Sequence, residues 1–194
     1  LDINNFEELK KFIKEKQIDI VIIGPEKPLV NGIVDFLESH KIKVFGPNKM
    51  ASQLEGSKIF TKDLCKKYSI PTANYGVFKN KEEAYSFLKS CNLPIVVKAD
   101  GLAAGKGVSI CTSKEEALKN AKEILEGKFK SSNSVVLEEF LEGEELSYFV
   151  IVDENSYHFF GSAQDHKRVG EKDTGPNTGG MGAYSPSPLL NEKL

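Results

Sequence analysis

The stretch VKADGLAAGKGVSI, residues 97–110, places Lys98 at the end of an apolar run and follows it with Gly101, Gly105, Lys106 and Gly107. Glycine lets the backbone turn tightly and bring N–H groups against an anion, and lysine supplies a point charge for phosphate. The spacing is not G-x-x-x-x-G-K-[ST], and the residues after Gly107, VSICT, are β-prone, so neither a P-loop nor a dinucleotide fingerprint fits. Strand, glycine-rich loop, strand fits, a hairpin tip able to fold over phosphates as a kinase glycine loop does. In the alternation Ile95, Val96, Val97, Lys98, the lysine projects toward whatever lies beneath that tip.

A second chemical string is VVLEEFLEGEEL, residues 135–146. A buried strand ends in Glu138 and Glu139, the apolar pair Phe140 and Leu141 interrupts the charges, and further acids follow a glycine turn. A nucleotide would use each part. Backbone groups after the strand meet the adenine edge, the apolar pair packs on its face, and a carboxylate accepts from ribose hydroxyls. A third string, QDHKRVGEKDTGPNTGGMGAYSP, residues 164–186, has no periodicity and five glycines, and reads as a long binding loop. It holds Arg168, the single arginine against 25 lysines and the natural two-pronged grip for a carboxylate or phosphate.

These strings need elements to hold them. NNFEELKKFIKEKQ reads as an amphipathic helix, IDIVIIG as a buried strand, residues 30–39 as a helix and KVFG as a second strand, the order of a right-handed parallel α/β layer. The turn GPEKP, with Gly24 and Glu26, lies at the carboxyl end of the first strand, where such sheets present ligand-binding groups. A helix through SKIFTKDLCKKY runs to Pro71. Asn80 with Glu83 and Ser113 with Glu116 are capping-box signatures that open two further helices. In the second of these, Ala117, Leu118, Ala121, Ile124 and Leu125 form a stripe that must lie on a sheet made by PIVVKA, GVSICT and SVVLEEF. SYFVIVD and YHFFGSAQ alternate about the turn ENS as an antiparallel hairpin.

Composition narrows the partners. With 194 residues, 40% hydrophobic, 28% charged and a net charge of −2 with signs interspersed, the chain has no basic stripe for nucleic acid and no apolar run long enough for a membrane span. Cys65, Cys91 and Cys111 lack C-x-x-C spacing and read as reduced core thiols; with no Asn-x-Ser/Thr acceptor, a cytoplasmic setting is expected. The start at Leu1 and the end at LLNEKL are expected of a piece of something longer.

The strings GPEKPLV, QLEGSKIFTKD, VVKADGLAAGKGV, EEFLEGEE and QDHKRVGEKDTGPNTGGMGAYSP, in this order between Asp19 and Pro188, resemble the ATP-grasp superfamily and, within it, the phosphoribosylamine-glycine ligase family. The resemblance implies an α/β chain. Residues 1–53 would be part of a Rossmann-like parallel layer, 54–70 a linking helix, 71–141 a small ATP-grasp lobe with the glycine flap, and 142–194 the start of the large lobe. It implies ATP with Mg²⁺ or Mn²⁺, and glycine and 5-phosphoribosylamine as the other small molecules. Glycine's carboxylate would attack the γ-phosphorus and release ADP; the amine would then attack the acyl phosphate and release phosphate, giving glycinamide ribonucleotide.

Site residues follow from the same resemblance. Lys58 and Lys98 would hold the phosphates under the flap of Gly101, Gly105, Lys106 and Gly107; Glu138, Glu139, Phe140 and Leu141 the adenine; Glu145 the ribose. His166, Lys167 and Arg168 would be catalytic, with Glu26, Gln164, Asp165, Asp173, Thr174, Gly175, Pro176, Asn177, Gly179, Gly180, Met181 and Gly182 toward substrate. The family's amino-terminal glycine turn and its later Glu-Phe-Asn metal strand are absent from the 194 residues, so no metal ligands, weak nucleotide binding and incomplete catalysis are expected of them. Two alternatives are another ATP-grasp carboxylate-amine ligase and a non-catalytic nucleotide-binding module. A kinase is disfavoured by the lack of H-R-D and D-F-G strings.

Overall fold

The computed structural model describes residues 1–103, 106–171, 174–178 and 180–191, with the side chains of Pro176 and Asn177 left aside. The chain forms two compact units, Leu1–Phe140 and Leu141–Leu194.

The first unit opens with α1, Phe6–Glu15, whose first turn is capped by the Asn5 side chain accepting from the Glu8 N–H. Strand β1, Val21–Ile22, then pairs in parallel with β2, Val44–Phe45, across the intervening helices α2, Glu26–Asn31, and α3, Ile33–Ser39. The expected single helix over 30–39 is two helices, because Gly32 adopts φ +94°, a left-handed conformation that ends one helix and begins the next. The run expected to be a buried strand is buried on one side only. Val21 and Ile23 pack against Ile13, Ile33, Val34 and Leu37, whereas Ile20 and Ile22 are 54% and 71% exposed. Alternation sends successive side chains to opposite faces, and α1 and α3 supply the core of one face.

Helices α4, Gln53–Gly56, and α5, Lys58–Lys67, follow. Helix α5 ends well before Pro71; Ser69 at φ +55° breaks the helical path first. A four-stranded antiparallel sheet holds the main core, in the order β3 (Tyr75–Phe78), β6 (Val135–Glu139), β4 (Ile95–Ala99), β5 (Val108–Cys111). Helices α6, Lys81–Ser90, and α7, Lys114–Leu125, begin at Asn80 and Ser113, whose side chains accept from the Glu83 and Glu116 N–H groups. Glu116 also accepts from the Thr112 N–H at 3.1 Å. Ala84, Leu88, Ala117, Ala121 and Ile124 meet Ile95, Val97, Ala99, Val135 and Leu137. The pleat therefore leaves Val96, Lys98, Val136 and Glu138 on the other face, with Lys98 opposite Val136 and Val96 opposite Glu138. Cys65, Cys91 and Cys111 are free thiols.

In the second unit, β7, Ser147–Val152, and β8, Tyr157–Asp165, form the expected hairpin. Its turn is tied by Asp153 Oδ1, which accepts from the Asn155 and Ser156 N–H groups at 2.8 and 2.7 Å. The glycine-rich stretch expected to lack regular structure contains short strands: β9, Arg168–Gly170, pairs with β10, Thr174–Asn177, and β11, Ala183–Tyr184, adds to β8. Strands of two to four residues cannot show a period, so only the pairing reveals them.

Candidate functional site

The glycine-rich loop begins where β4 ends, and the residues flanking it fasten it to α5. The Asp100 carboxylate accepts from Ser57 Oγ at 3.1 Å and from the Ile59 N–H at 3.2 Å, so it satisfies donors at the first turn of α5. Ser57 Oγ in turn accepts from the Phe60 N–H at 3.1 Å. Helix α5 is thereby aimed at the loop, and Lys58, its first residue, donates from Nζ to the Gly101 carbonyl at 3.0 Å. Ser131 Oγ donates to the Leu102 carbonyl at 2.8 Å, and the Asp100 N–H to Ser132 Oγ at 2.9 Å. Gly101 sits at φ +82°, and a β-carbon there would lie 2.8 Å from the Ser131 carbonyl oxygen. At the far end, the Ala99 N–H donates to the Gly107 carbonyl at 2.8 Å and the Lys106 N–H to the Ala103 carbonyl at 2.9 Å. Lys106 is exposed, and Gly105 lies outside the described residues.

Beneath the loop is a cluster of charge. Lys98 Nζ is ion-paired with Glu138 Oε1, as the shared face of β4 and β6 requires. The other carboxylate oxygen, Oε2, faces Lys62 Nζ at 2.8 Å, off the angle for a directed hydrogen bond, so charge holds that contact. Lys62 also donates to Thr72 Oγ1 at 2.8 Å and the Ala73 carbonyl at 3.2 Å. The Glu138 side chain is only 7% exposed and that of Lys62 11%. Burial pushes the Lys58 ammonium below the ordinary lysine value of 10.5; Asp100, Glu55 and Glu138 pull it back, and Lys98 adds to the depression. Lys58 and Lys98 are thus neighbours in one field.

The structure brings Lys58, Lys98, Gly101 and Glu138 together, with Glu138, expected at the adenine, paired to Lys98. It commits the Glu138 carboxylate to two lysines, and the Glu139 N–H donates to the Asn74 carbonyl at 2.9 Å. Glu139 points elsewhere and accepts from Asn74 Nδ2 at 2.8 Å, which holds its carboxyl below the usual range. Phe140 is 38% exposed. Glu26 opens α2, is exposed, and makes none of the contacts of the lysine cluster given above. Sequence reasoning missed Lys62, Ser57 and Asp100. For Lys62 a signal existed, since it lies four residues after Lys58 and so shares its helix face.

In the second unit, Lys167 Nζ lies 2.8 Å from Glu145 Oε1 and 2.9 Å from Asp165 Oδ1. The two carboxylates raise Lys167, and Lys167 holds the Asp165 carboxyl below 3.8. Gln164 Oε1 accepts from Tyr184 Oη at 2.9 Å and Ser187 Oγ at 2.8 Å. The His166 ring packs on Tyr184 at 5.9 Å between centroids, and its backbone carbonyl accepts from Thr178 Oγ1. Arg168 donates from Nη1 to the Gly175 carbonyl at 3.1 Å. Gly175, Gly180 and Gly182 all have φ between +82° and +88°, which glycine tolerates. Thr174 and Met181 are exposed, Leu141 is 63% exposed, and Asp173, Gly179 and the side chains of Pro176 and Asn177 lie outside the described residues. Among the described residues no three His, Cys, Asp or Glu side chains are grouped to hold a metal ion, and no helix is long and apolar enough to cross a membrane.

Solved structures match this fold. Biotin carboxylase from Campylobacter jejuni gives a TM-score of 0.75 over 97% of this chain and 42% of its own at 18% identity, a likeness of fold. The class is that of the α/β ATP-grasp proteins. A family model described as "Phosphoribosylglycinamide synthetase, ATP-grasp (A) domain" matches residues 56–194, and its "N domain" companion matches residues 1–55. The chain belongs to the phosphoribosylglycinamide synthetase family. It is 51% identical over its whole length to the phosphoribosylamine-glycine ligase of Brucella melitensis, of which it covers 46%. The crystal structure of the phosphoribosylamine-glycine ligase of Thermotoga maritima gives a TM-score of 0.71 at 41% identity, covering 76% of this chain and 38% of that one. The chain thus spans about half the length of the curated relatives it matches.

Proposed function

We propose that this chain binds ATP through its lysine cluster and serves the ATP-dependent joining of glycine to 5-phosphoribosylamine. The observation that carries the reading is the convergence of three ammonium groups under the glycine loop. Lys62 and Lys98 share the buried carboxylate of Glu138, Asp100 is also spent on the start of α5, and Lys58, which feels Asp100, Glu55 and Glu138 through charge, donates to the neutral Gly101 carbonyl. A polyphosphate would give Lys58 and Lys98 a common anionic partner. Lys58 and Lys98 would hold it, with backbone groups of Gly101, Gly105 and Gly107 above, and the Glu138–Leu141 backbone and the Phe140 ring would meet the adenine. Glu145 would meet the ribose, and Gln164, His166, Lys167 and Arg168 the reacting groups. Activation then consists of holding the glycine carboxylate in line with the γ-phosphorus while ammonium groups offset the growing charge. A divalent metal, which the family implies, would supply further neutralisation of the phosphates. The described residues offer no cluster fitted to one. The division into 1–53, 54–70, 71–141 and 142–194, and a cytoplasmic setting, belong to the same proposal.

Titration of ATP into the 194-residue chain, followed by two-dimensional NMR to reach weak affinities, tests the reading. Lys98→Met removes a charge-assisted phosphate contact worth ~1.5–3 kcal/mol, a loss of roughly 10- to 150-fold in affinity. ATP shifts confined to residues away from Lys58, Lys98 and Gly101, or an unchanged affinity in the variant, would refute it.

A further inference from the structure

Among the described residues Lys62 is a buried cation to which the nucleotide reading gives no phosphate contact. Its ammonium is anchored on both sides: Thr72 Oγ1 at 2.8 Å and the Ala73 carbonyl at 3.2 Å hold it to the chain between α5 and β3, and Glu138 Oε2 stands 2.8 Å away. Glu138 has one negative charge to divide between two cations, Lys62 on Oε2 and Lys98 on Oε1. Without Lys62, the whole of that charge would fall on Lys98. The phosphate ligand would then be paired inside the fold, with less left for an incoming anion.

We infer that Lys62 is a positioning residue of the nucleotide site, which draws on one oxygen of Glu138 and thereby keeps the Lys98 ammonium placed, yet only partly neutralised, for phosphate. This rests on the proposal that ATP binds here. Lys62 touches no phosphate in this arrangement; it acts through Glu138. Burial makes the division effective, since charges screened from water feel one another more strongly than they would at the surface. The three groups come from α5, β4 and β6, so the relay also fixes the helix that carries Lys58 relative to the strand that carries Lys98.

The test is a double-mutant cycle on the 194-residue chain, with ATP and adenosine as the two probes and NMR titration as the readout. Lys62→Met is expected to weaken ATP about tenfold and leave adenosine unchanged. In the Glu138→Gln background, the same substitution is expected to change ATP affinity less than about twofold, because the intermediary no longer carries charge. Equal losses in both backgrounds would mean that Lys62 acts on the phosphates directly, and would overturn the inference; so would an unchanged ATP affinity in Lys62→Met, or an equal loss for adenosine. If Lys62→Met fails to fold, Thr72→Val removes one anchor of the ammonium and leaves every charge in place. Its smaller loss of ATP affinity must also vanish in the Glu138→Gln background, and persistence there would refute the relay. A wild-type chain that binds no ATP would bring down the nucleotide reading and this inference with it, whereas a wild-type chain that binds ATP with an additive cycle would bring down the inference alone.

Discussion

Replacing Gly101 by alanine sets two separable costs against each other, and the structure supplies a control for one of them. At φ +82° any β-carbon is strained, and at Gly101 it would also lie 2.8 Å from the Ser131 carbonyl oxygen, closer than real β-carbons come. Gly127, just after α7, has a similar φ of +92° with nothing within 4 Å of its β-carbon. The left-handed conformation alone costs about 1–2 kcal/mol for alanine, of which the stiffer unfolded chain returns about 0.4–1. Gly127→Ala should therefore lose about 1 kcal/mol. Gly101→Ala adds the displacement of a backbone carbonyl in a packed turn, of order 1–3 kcal/mol, for a total of about 2–4. Urea unfolding of the two variants gives the comparison. The displaced carbonyl belongs to the segment whose Ser131 hydroxyl holds Leu102, and Gly101's own carbonyl takes Lys58, so ATP affinity should fall with Gly101→Ala and stay unchanged with Gly127→Ala. Equal stability losses, or an ATP affinity untouched by Gly101→Ala, would refute the account of a loop entry held by close contact.

Asp100→Ala should cost about 1–2 kcal/mol, as the loss of a helix-capping acceptor does, and amide exchange should quicken at Ile59 while α7, capped by its own Ser113, is unaffected. Lys167→Met should raise the titration midpoint of Asp165, read from its carboxyl carbon by NMR. Lys167 holds that group below 3.8, so its stabilising effect is complete above pH 3.8 and is lost as pH falls through the depressed value, a slope the variant should lack.

The sequence carried the parts whose physics is local. The glycines and the β-branched run around Lys98 put a loop between two strands, period two sent Ile95 and Val97 to the core and Lys98 to the other face, and the two capping signatures marked the helix starts. It did not carry relations fixed by distant partners. That Asp100 would finish the first turn of α5, or that Glu138 would turn its carboxylate to Lys62 and Lys98, depends on which strand lies beside which, and no periodicity contains that. The same limit hid the short strands β9, β10 and β11. Gly32 is a different failure, because the apolar pattern runs through residues 30–39 unbroken and only its positive φ divides the helix.

Lys58 is the ammonium through which the cluster's charge becomes measurable. It donates to a neutral carbonyl, Gly101 O, and its burial depresses it below 10.5. A lysine depressed in the folded state binds fewer protons there than in the unfolded chain. Stability should therefore rise as pH climbs from just below the depressed value to 10.5, and the penalty should be present in full at neutral pH. A bound polyphosphate reverses the balance, because an anion beside the ammonium favours its charged form. ATP should move the Lys58 titration upward, read from the side-chain carbon next to Nζ by NMR, and should flatten the alkaline rise in stability. Exchanging the Gly101 carbonyl for phosphate would free the entry of the glycine loop in the same step, so Gly101 amide exchange should respond to ATP together with Lys58. An upward shift at Lys58 with no change at Gly101 would separate the lysine from the loop, and no shift at Lys58 would remove it from the phosphate site.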